Sequence, residues 1–471
     1  MTTSIVLNSL SSYGDTTALK CDQGKMSYKA LREAVSYMAQ LLNGTQTAAI
    51  MMENGPAWVI VDLACIAAQV PLVPLPEFFS RQQIVHALRD AGVDTVFTDH
   101  PYRFEGTCER HSVADLSFYS IKLRRQPVSL PEGTAKITYT SGTTGEPKGV
   151  CLTQKAMETV AASLIERIGQ GTASDHLCVL PLAILLENVA GVYPVLMTGA
   201  SVCLAPIKHN PVHLVEMITR FEATSCILVP ELLRMLLAVG RPLPSLNYVA
   251  VGGAHVPREL VLAAHGLKIP VYEGYGLSEA SSVVSVNTPA VSKVGSVGKS
   301  LRHIDLRFGD DGEILVKNPL FSGYLNAPSS GDVWYPTGDI GRIDDEGFLY
   351  VDGRKKNIFI TSFGRNISPE WIEGLLTTQK EILQALVYGE ARPSNIAIIV
   401  TRNPANLSDV IDRVNSQLPD YARIKSWICA PEPFSLENGH LTGTGRLRRE
   451  KIQETYMPNI EQHYAQERMT A

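Results

Sequence analysis

Residues 138–150 read TYTSGTTGEPKGV, a run rich in glycine and hydroxyl side chains that carries one lysine, Lys148. Gly142, Gly145 and Gly149 let backbone approach an anion closely, the hydroxyls of Thr140, Ser141, Thr143 and Thr144 donate hydrogen bonds, and Lys148 adds a point charge. Pro147 stiffens the turn. That chemistry suits a polyphosphate. The run departs from the P-loop pattern, which needs Gly-Lys followed by Ser or Thr after a glycine five positions earlier, because Lys148 follows Pro147 and precedes Gly149. Gly298-Lys299-Ser300 has the right ending, but the earlier glycine would fall where Lys293 stands. A kinase or P-loop GTPase reading is disfavoured.

The thirteen residues resemble the phosphate loop of the acyl-adenylate-forming superfamily, which includes acyl- and aryl-CoA ligases, firefly luciferase and the adenylation domains of nonribosomal peptide synthetases. Gly274-Tyr275-Gly276-Leu277-Ser278-Glu279 is similar to a second motif of that family, with Ser278 in place of the usual threonine. The resemblance implies a flat face for adenine at Tyr275, a hydroxyl near the α-phosphate at Ser278 and a hard oxygen ligand for phosphate-bound Mg²⁺ at Glu279. Upstream, Val251-Gly252-Gly253-Ala254 resembles the segment along adenine, so Gly253 is expected at the nucleotide. Tyr335-Pro336-Thr337-Gly338-Asp339 resembles the element whose aspartate accepts from both ribose hydroxyls, and Arg354 matches the arginine that joins it. Lys356 matches the hinge position about which the small C-terminal domain turns.

Two further segments bear on the substrate and on the second half-reaction. Residues 360–370 resemble the loop that the family's small domain brings to the site for thioester formation, and the wording Asn-Ile-Ser-Pro is similar to that of long-chain fatty acyl-CoA synthetases. Leu180-Pro181-Leu182-Ala183 with Glu187 resembles the same enzymes, with Ile184 where they carry histidine. Thr442-Gly443-Thr444-Gly445-Arg446 aligns with a motif whose lysine bridges carboxylate and phosphate oxygens, yet this chain has Arg446 there. Arginine keeps the charge in a bulkier, planar form. Three readings follow: Arg446 takes the role, Lys451 substitutes for it, or adenylation is slow. Arg446, Arg448, Arg449 and Lys451 also suit a solvated helix face, the better reading for Arg449.

The resemblance implies an enzyme: ATP-dependent activation of a small-molecule carboxylic acid to acyl-AMP, then transfer to a thiol, with Mg²⁺ as the metal. CoA is the first choice of acceptor. Phosphopantetheine on an acyl carrier protein is the close alternative, and a nucleotide-binding protein with impaired adenylation is the third. No aspartate lies between Leu180 and Gly191 to pair with an α-ammonium group, so a fatty or other hydrophobic acid is expected.

Bulk properties agree with a soluble, cytoplasmic enzyme. The 471 residues are 45% hydrophobic and 19% charged, with net charge −5, which gives no sign of nucleic-acid binding. Eight scattered cysteines form neither a CxxC pair nor a Cys/His cluster. The apolar stretch Val179–Ala205, interrupted by Glu187 and Asn188, reads as buried core, and no transmembrane segment is expected.

The positioning elements predict an α/β fold. A strand, the phosphate loop and a helix follow in order, with Thr153 as N-cap and Met157, Val160, Ala161, Leu164 and Ile168 on one helical face. Strands Cys226–Val229 and Tyr248–Val251 alternate with helices Val212–Phe221 and Pro230–Val239, which suggests mostly parallel sheet covered by helices. Short strands Glu313–Val316 and Phe348–Val351 predict a small β-barrel-like part. Beyond the polar stretch at Gly353, a helix Pro369–Leu376 capped by Ser368, strands Leu383–Tyr388 and Ile396–Val400, and helices Asp409–Leu418 and Leu447–Tyr456 predict a compact α+β unit. The expected division is an ATP- and acyl-binding domain over residues 1–352 and a mobile lid over residues 353–471.

Overall fold

Apolar runs of four or five residues, too short for helices and buried on nearly every side chain, make the centre of the first sheet. The computed structural model of the chain describes residues 4–140, 147–206, 210–317, 321–328, 334–442 and 445–470. In it, Val271–Tyr275, Tyr248–Val251, Ser225–Leu228, Asp175–Cys178, Ser201–Leu204 and Thr17–Cys21 lie side by side in parallel. Short antiparallel strands complete this nine-stranded sheet at both edges.

A second nine-stranded sheet is mixed. Leu72–Pro74, Ala48–Met51 and Thr95–Thr98 pair in parallel at its centre, and Thr134–Thr140 with Lys148–Thr153 forms an antiparallel pair on one side. One apolar core joins the two sheets: Ile50 and Leu152 from the second meet Val202 and Leu204 from the first, through helices Tyr28–Leu41, Pro56–Ala68 and Gln154–Ile168. A four-stranded antiparallel sheet follows, built from Asp305–Phe308, Glu313–Lys317, Tyr335–Ile343 and Leu349–Arg354.

The smaller C-terminal domain is a three-stranded sheet of Ile382–Tyr388, Asn395–Thr401 and Ile424–Cys429 with helices on both faces. Strand alternation divides its side chains. Ala385, Val387, Ala397 and Ile399 face helices Pro369–Thr377 and Leu407–Asn415, while Leu386, Ile396, Ile398 and Val400 face the long helix Arg449–Thr470. Ile452, Tyr456, Ile460 and Tyr464, spaced by four, form that helix's buried stripe.

The α/β class holds, with local differences from the sequence expectation. Between the phosphate loop and its helix lies an extra strand, Lys148–Thr153, whose residues Val150, Cys151 and Leu152 are fully buried and pair antiparallel with the incoming strand. Thr153 caps the helix as expected, its hydroxyl accepting from Ala156 N. Ser368 stands at an N-cap without the capping bond; its hydroxyl donates to Asp352 O at 2.8 Å instead. The C-terminal helix runs much further than Tyr456. Among the described residues, no helix is long and apolar enough to cross a membrane.

Candidate active site

The strand register sets the phosphate loop. Thr140 and Lys148 are directly opposed at the loop end of the hairpin, so both ends of the loop are fixed by the sheet. Lys148 is exposed, and its ammonium lies 5.5 Å from the ring centroid of Tyr324. The expected loop donors Ser141, Gly142, Thr143, Thr144 and Gly145 lie outside the described residues.

Tyr275, Asp339 and Arg354 come together although 64 residues separate the first two. Asp339 and Arg354 are opposed in an antiparallel pair of strands, and Tyr275 ends the last parallel strand of the large sheet. The Tyr275 hydroxyl donates to Asp339 Oδ2 at 2.6 Å, and Arg354 Nε lies 2.8 Å from Oδ1. Arg354 Nη1 also donates to Thr337 O at 3.0 Å. Burial pushes the Asp339 carboxyl pKa up, while Arg354 and the Tyr275 hydrogen bond pull it back in part. Burial, then Asp339, raises the Tyr275 phenol well above its usual value, so it remains a donor. The polypeptide around Tyr275 is tightly confined: a Cβ at Gly276 would lie 1.7 Å from Ser282 O, so only glycine fits.

Gly253 takes a left-handed conformation, φ 81°, two residues after the strand Tyr248–Val251 ends. Its carbonyl accepts from Arg446 Nε at 2.9 Å and Nη2 at 2.5 Å, across 193 residues. Arg446 keeps solvent access, yet packing of the cleft around it, and then Arg354, lower its pKa; Asp339 opposes them. Lys451 points elsewhere, pairing with Glu454 at 3.3 Å on the exposed side of its helix.

Ser278 and Glu279 stand on one 3₁₀ turn, Ser278–Ala280. Glu279 Oε1 accepts from Tyr324 OH at 2.8 Å, and the Tyr324 and Tyr335 hydroxyls are 2.8 Å apart. Among the described residues no cation is ion-paired with Glu279, so its half-buried carboxylate suits a hard divalent ion. Lys356 lies in a single 3₁₀ turn, Lys355–Asn357, right after the strand that ends at Arg354.

Several residues differ from their sequence reading. Arg449 is not a solvated helix residue: its side chain is 14% exposed and forms a two-pronged ion pair with Glu373, Nη1 lying 2.7 Å from Oε1. Glu187, quoted only for a resemblance of its segment, is fully buried within that segment, with His176 Nε2 at 2.9 Å and Leu180 N donating at 2.8 Å. Asn54 clamps the same segment, donating to Leu180 O and accepting from Leu182 N, both at 2.8 Å. Sequence reasoning assigned no role to Tyr324, Asn54 or His176.

The chain matches the AMP-binding enzyme family over residues 7–325 and the AMP-binding enzyme C-terminal domain over residues 356–468. It is 30% identical over 424 residues to an indoleacetate–CoA ligase of Aromatoleum aromaticum, covering 79% of this chain and 82% of that one. It is 29% identical over 449 residues to a 2-succinylbenzoate–CoA ligase of Bacillus cytotoxicus, covering 86% and 90%. The solved o-succinylbenzoate CoA synthetase of Bacillus subtilis in complex with an acyl-adenylate shares the fold, with TM-score 0.79, 24% identity and coverage of 96% and 98%. Motifs, geometry and relatives agree: the chain belongs to the AMP-binding enzyme family and is an AMP-forming acid–thiol ligase of the acyl-CoA synthetase type.

Proposed function

We propose that the protein converts a hydrophobic, ring-bearing carboxylic acid to its acyl adenylate and then to its CoA thioester. The observation that carries this reading is the contact of Arg446 with Gly253 O, beside the Tyr275–Asp339–Arg354 group. It supports a reading in which Arg446 brings the positive charge of the C-terminal domain to the nucleotide. The loop proposed for thioester formation is meanwhile turned outward: Phe363 is 74% exposed, and Ser362 N donates to Arg392 O of the same domain. This arrangement fits the first half-reaction.

Adenylation needs in-line attack of a carboxylate on the α-phosphate of ATP, with pyrophosphate leaving. Two anions must be held together, so positioning and positive potential dominate over acid–base chemistry. In this reading Asp339 and Arg354 hold the ribose, Tyr275 and Gly253 flank the base, and the phosphate loop with Lys148 holds the β- and γ-phosphates. Ser278 lies by the α-phosphate and Arg446 bridges it to the substrate carboxylate. A divalent ion at Glu279 would neutralise phosphate charge. Lys356 is the hinge about which residues 353–471 turn for the second step.

The acid is inferred from what the segment after Leu180 offers. Leu182, Leu185 and Val189 are buried, and the acidic Glu187 is tied to His176 and Leu180 N, so nothing there pairs with an ammonium group. The relatives named for indoleacetate and 2-succinylbenzoate favour an aryl acid over the straight-chain acid suggested by the Asn-Ile-Ser-Pro wording. They also favour CoA over a carrier protein.

The test is pyrophosphate release with indole-3-acetate, 2-succinylbenzoate, phenylacetate, octanoate and palmitate, with CoA or a holo-acyl carrier protein as acceptor. An aryl acid with CoA should give the highest kcat/KM. Preference for palmitate would overturn the aryl assignment, preference for the carrier protein would overturn CoA, and acid-independent release would overturn the ligase reading.

A further inference from the structure

Tyr324 occupies a position that none of the motifs explains. It lies in the two-residue strand Gly323–Tyr324, which pairs antiparallel with the strand carrying Lys148: Gly323 opposes Cys151 and Tyr324 opposes Val150. Lys148 and Val150 are two residues apart and share a face, so the register sets Tyr324 diagonally next to Lys148. That accounts for the 5.5 Å between the ammonium and the ring. The other end of the side chain reaches Glu279, whose Oε1 accepts from the hydroxyl at 2.8 Å. The backbone holds the same two segments together, Phe321 N donating to Glu279 O at 2.8 Å.

The surroundings fix the tyrosine in place. Its ring packs edge-on against Phe321 with centroids 4.9 Å apart, and its hydroxyl meets that of Tyr335 at 2.8 Å. Phe321 also packs against the Tyr335 ring at 5.4 Å. A phenol locked on both sides restricts the carboxylate it bonds. Without the hydroxyl, Glu279 would lose its 2.8 Å hydrogen bond and be less restricted, and a cation there would have to order it further on binding.

We propose that Tyr324 is a positioning residue that holds Glu279 and Lys148 at a fixed separation, so that the metal-bound phosphates of ATP meet a carboxylate and an ammonium already in place. The proposal rests on the reading of Glu279 as the metal-holding carboxylate. Tyr324 itself touches neither reacting atom. Its hydroxyl serves the metal side and its ring serves the lysine side, so the two contributions are separable.

The experiment is calorimetric titration of ATP into the full-length protein in excess Mg²⁺ and in EDTA, with no acid present. The ratio of the two dissociation constants reports how much the metal adds to binding. Tyr324→Phe, which keeps the ring and removes the hydroxyl, should reduce that ratio several-fold while leaving Kd in EDTA and Tm nearly unchanged. Tyr324→Leu should in addition weaken binding in EDTA, because the ring beside Lys148 is lost. Glu279→Gln is the reference, and it should bring the ratio close to one. If Glu279→Gln collapses the ratio and Tyr324→Phe leaves it at the wild-type value, the positioning role is wrong while the metal role of Glu279 stands. A wild-type ratio in Glu279→Gln removes the metal role and this proposal with it. A Tyr324→Phe loss that is equal in Mg²⁺ and EDTA overturns the proposal by showing a structural defect alone.

Discussion

Replacing Asp339 by alanine perturbs three things that the structure ties together. Its side chain is 5% exposed, and both oxygens are engaged, one by the Tyr275 hydroxyl and one by Arg354 Nε. A hydrogen bond to a charged acceptor contributes about 1.5–3 kcal/mol. The Arg354 partner is 41% exposed, so its ion pair is discounted for solvent screening to about 0.5–1 kcal/mol. Asp339→Ala is thus expected to cost about 2–4 kcal/mol of stability, while Asp339→Asn, which keeps the shape and an acceptor for Tyr275, costs less. The charge change reaches Arg446 too, since Asp339 raises the pKa that Arg354 lowers; without the carboxylate, the repulsion between the two guanidiniums is no longer offset. KM for ATP should therefore rise at least tenfold, through the ribose and through weaker docking of Arg446. Urea unfolding, with initial rates for ATP and 2′-deoxyATP, checks each part. Equal use of the two nucleotides by the wild type would refute the ribose assignment, and unchanged unfolding of Asp339→Ala would refute the energetics.

Lys148→Ala should keep Tm within a degree or two, because the ammonium is exposed and lies over the Tyr324 ring, while kcat/KM for ATP falls by about a hundredfold, or about 2.7 kcal/mol; an unchanged value would remove the loop lysine from the chemistry. Lys356→Pro fixes φ in the turn Lys355–Asn357 and should spare acyl-adenylate formation while blocking thioester formation; equal losses in the two assays would point to misfolding. Burial raises the Glu273 carboxyl to about 8, and its Oε2 has no hydrogen-bond partner. A carboxyl raised in the folded state stabilises fully below its unfolded pKa, near 4.5, and that contribution is lost as pH rises through about 8. Glu273→Gln should accordingly gain Tm relative to wild type on going from pH 5 to pH 8.5, and a constant difference across that range would contradict the shift.

The α/β class and the order of a large domain before a small one were legible in the sequence, and so were the motif residues that the fold gathers. Motifs such as Gly274–Glu279 and Thr337–Asp339 are local runs whose residue types state their chemistry, and the structure brings Tyr275, Asp339 and Arg354 into contact. What escaped depends on partners distant in the chain. Tyr324 gains its role from register with the Lys148 strand, and Arg449 is held by Glu373, 76 residues earlier. A basic cluster at a helix start looks the same in sequence whether solvent or a buried carboxylate faces it. Lys148–Thr153 escaped as a strand because Val150–Leu152 is too short to declare a period. The last helix runs past its expected end at Tyr456 and through Pro458, where proline ordinarily ends a helix; the packing of Ile460 and Tyr464 carries it on.

In the proposed reading Arg446 supplies the charge of the missing motif lysine during adenylation, and single-turnover measurement of the two half-reactions of Arg446→Ala separates that role from any other. Pyrophosphate release from ATP and an accepted aryl acid should fall by about two to three powers of ten, each worth about 1.4 kcal/mol of transition-state stabilisation. Thioester formation from supplied acyl-AMP and CoA should remain near wild type, because in the proposed reading the contact with Gly253 O serves adenylation and is given up when the C-terminal domain turns. Arg446→Lys should retain or raise adenylation, and Lys451→Ala should leave it unchanged, since Lys451 pairs with Glu454. Loss of adenylation in Lys451→Ala with none in Arg446→Ala, or equal loss of both half-reactions in Arg446→Ala, would contradict the account.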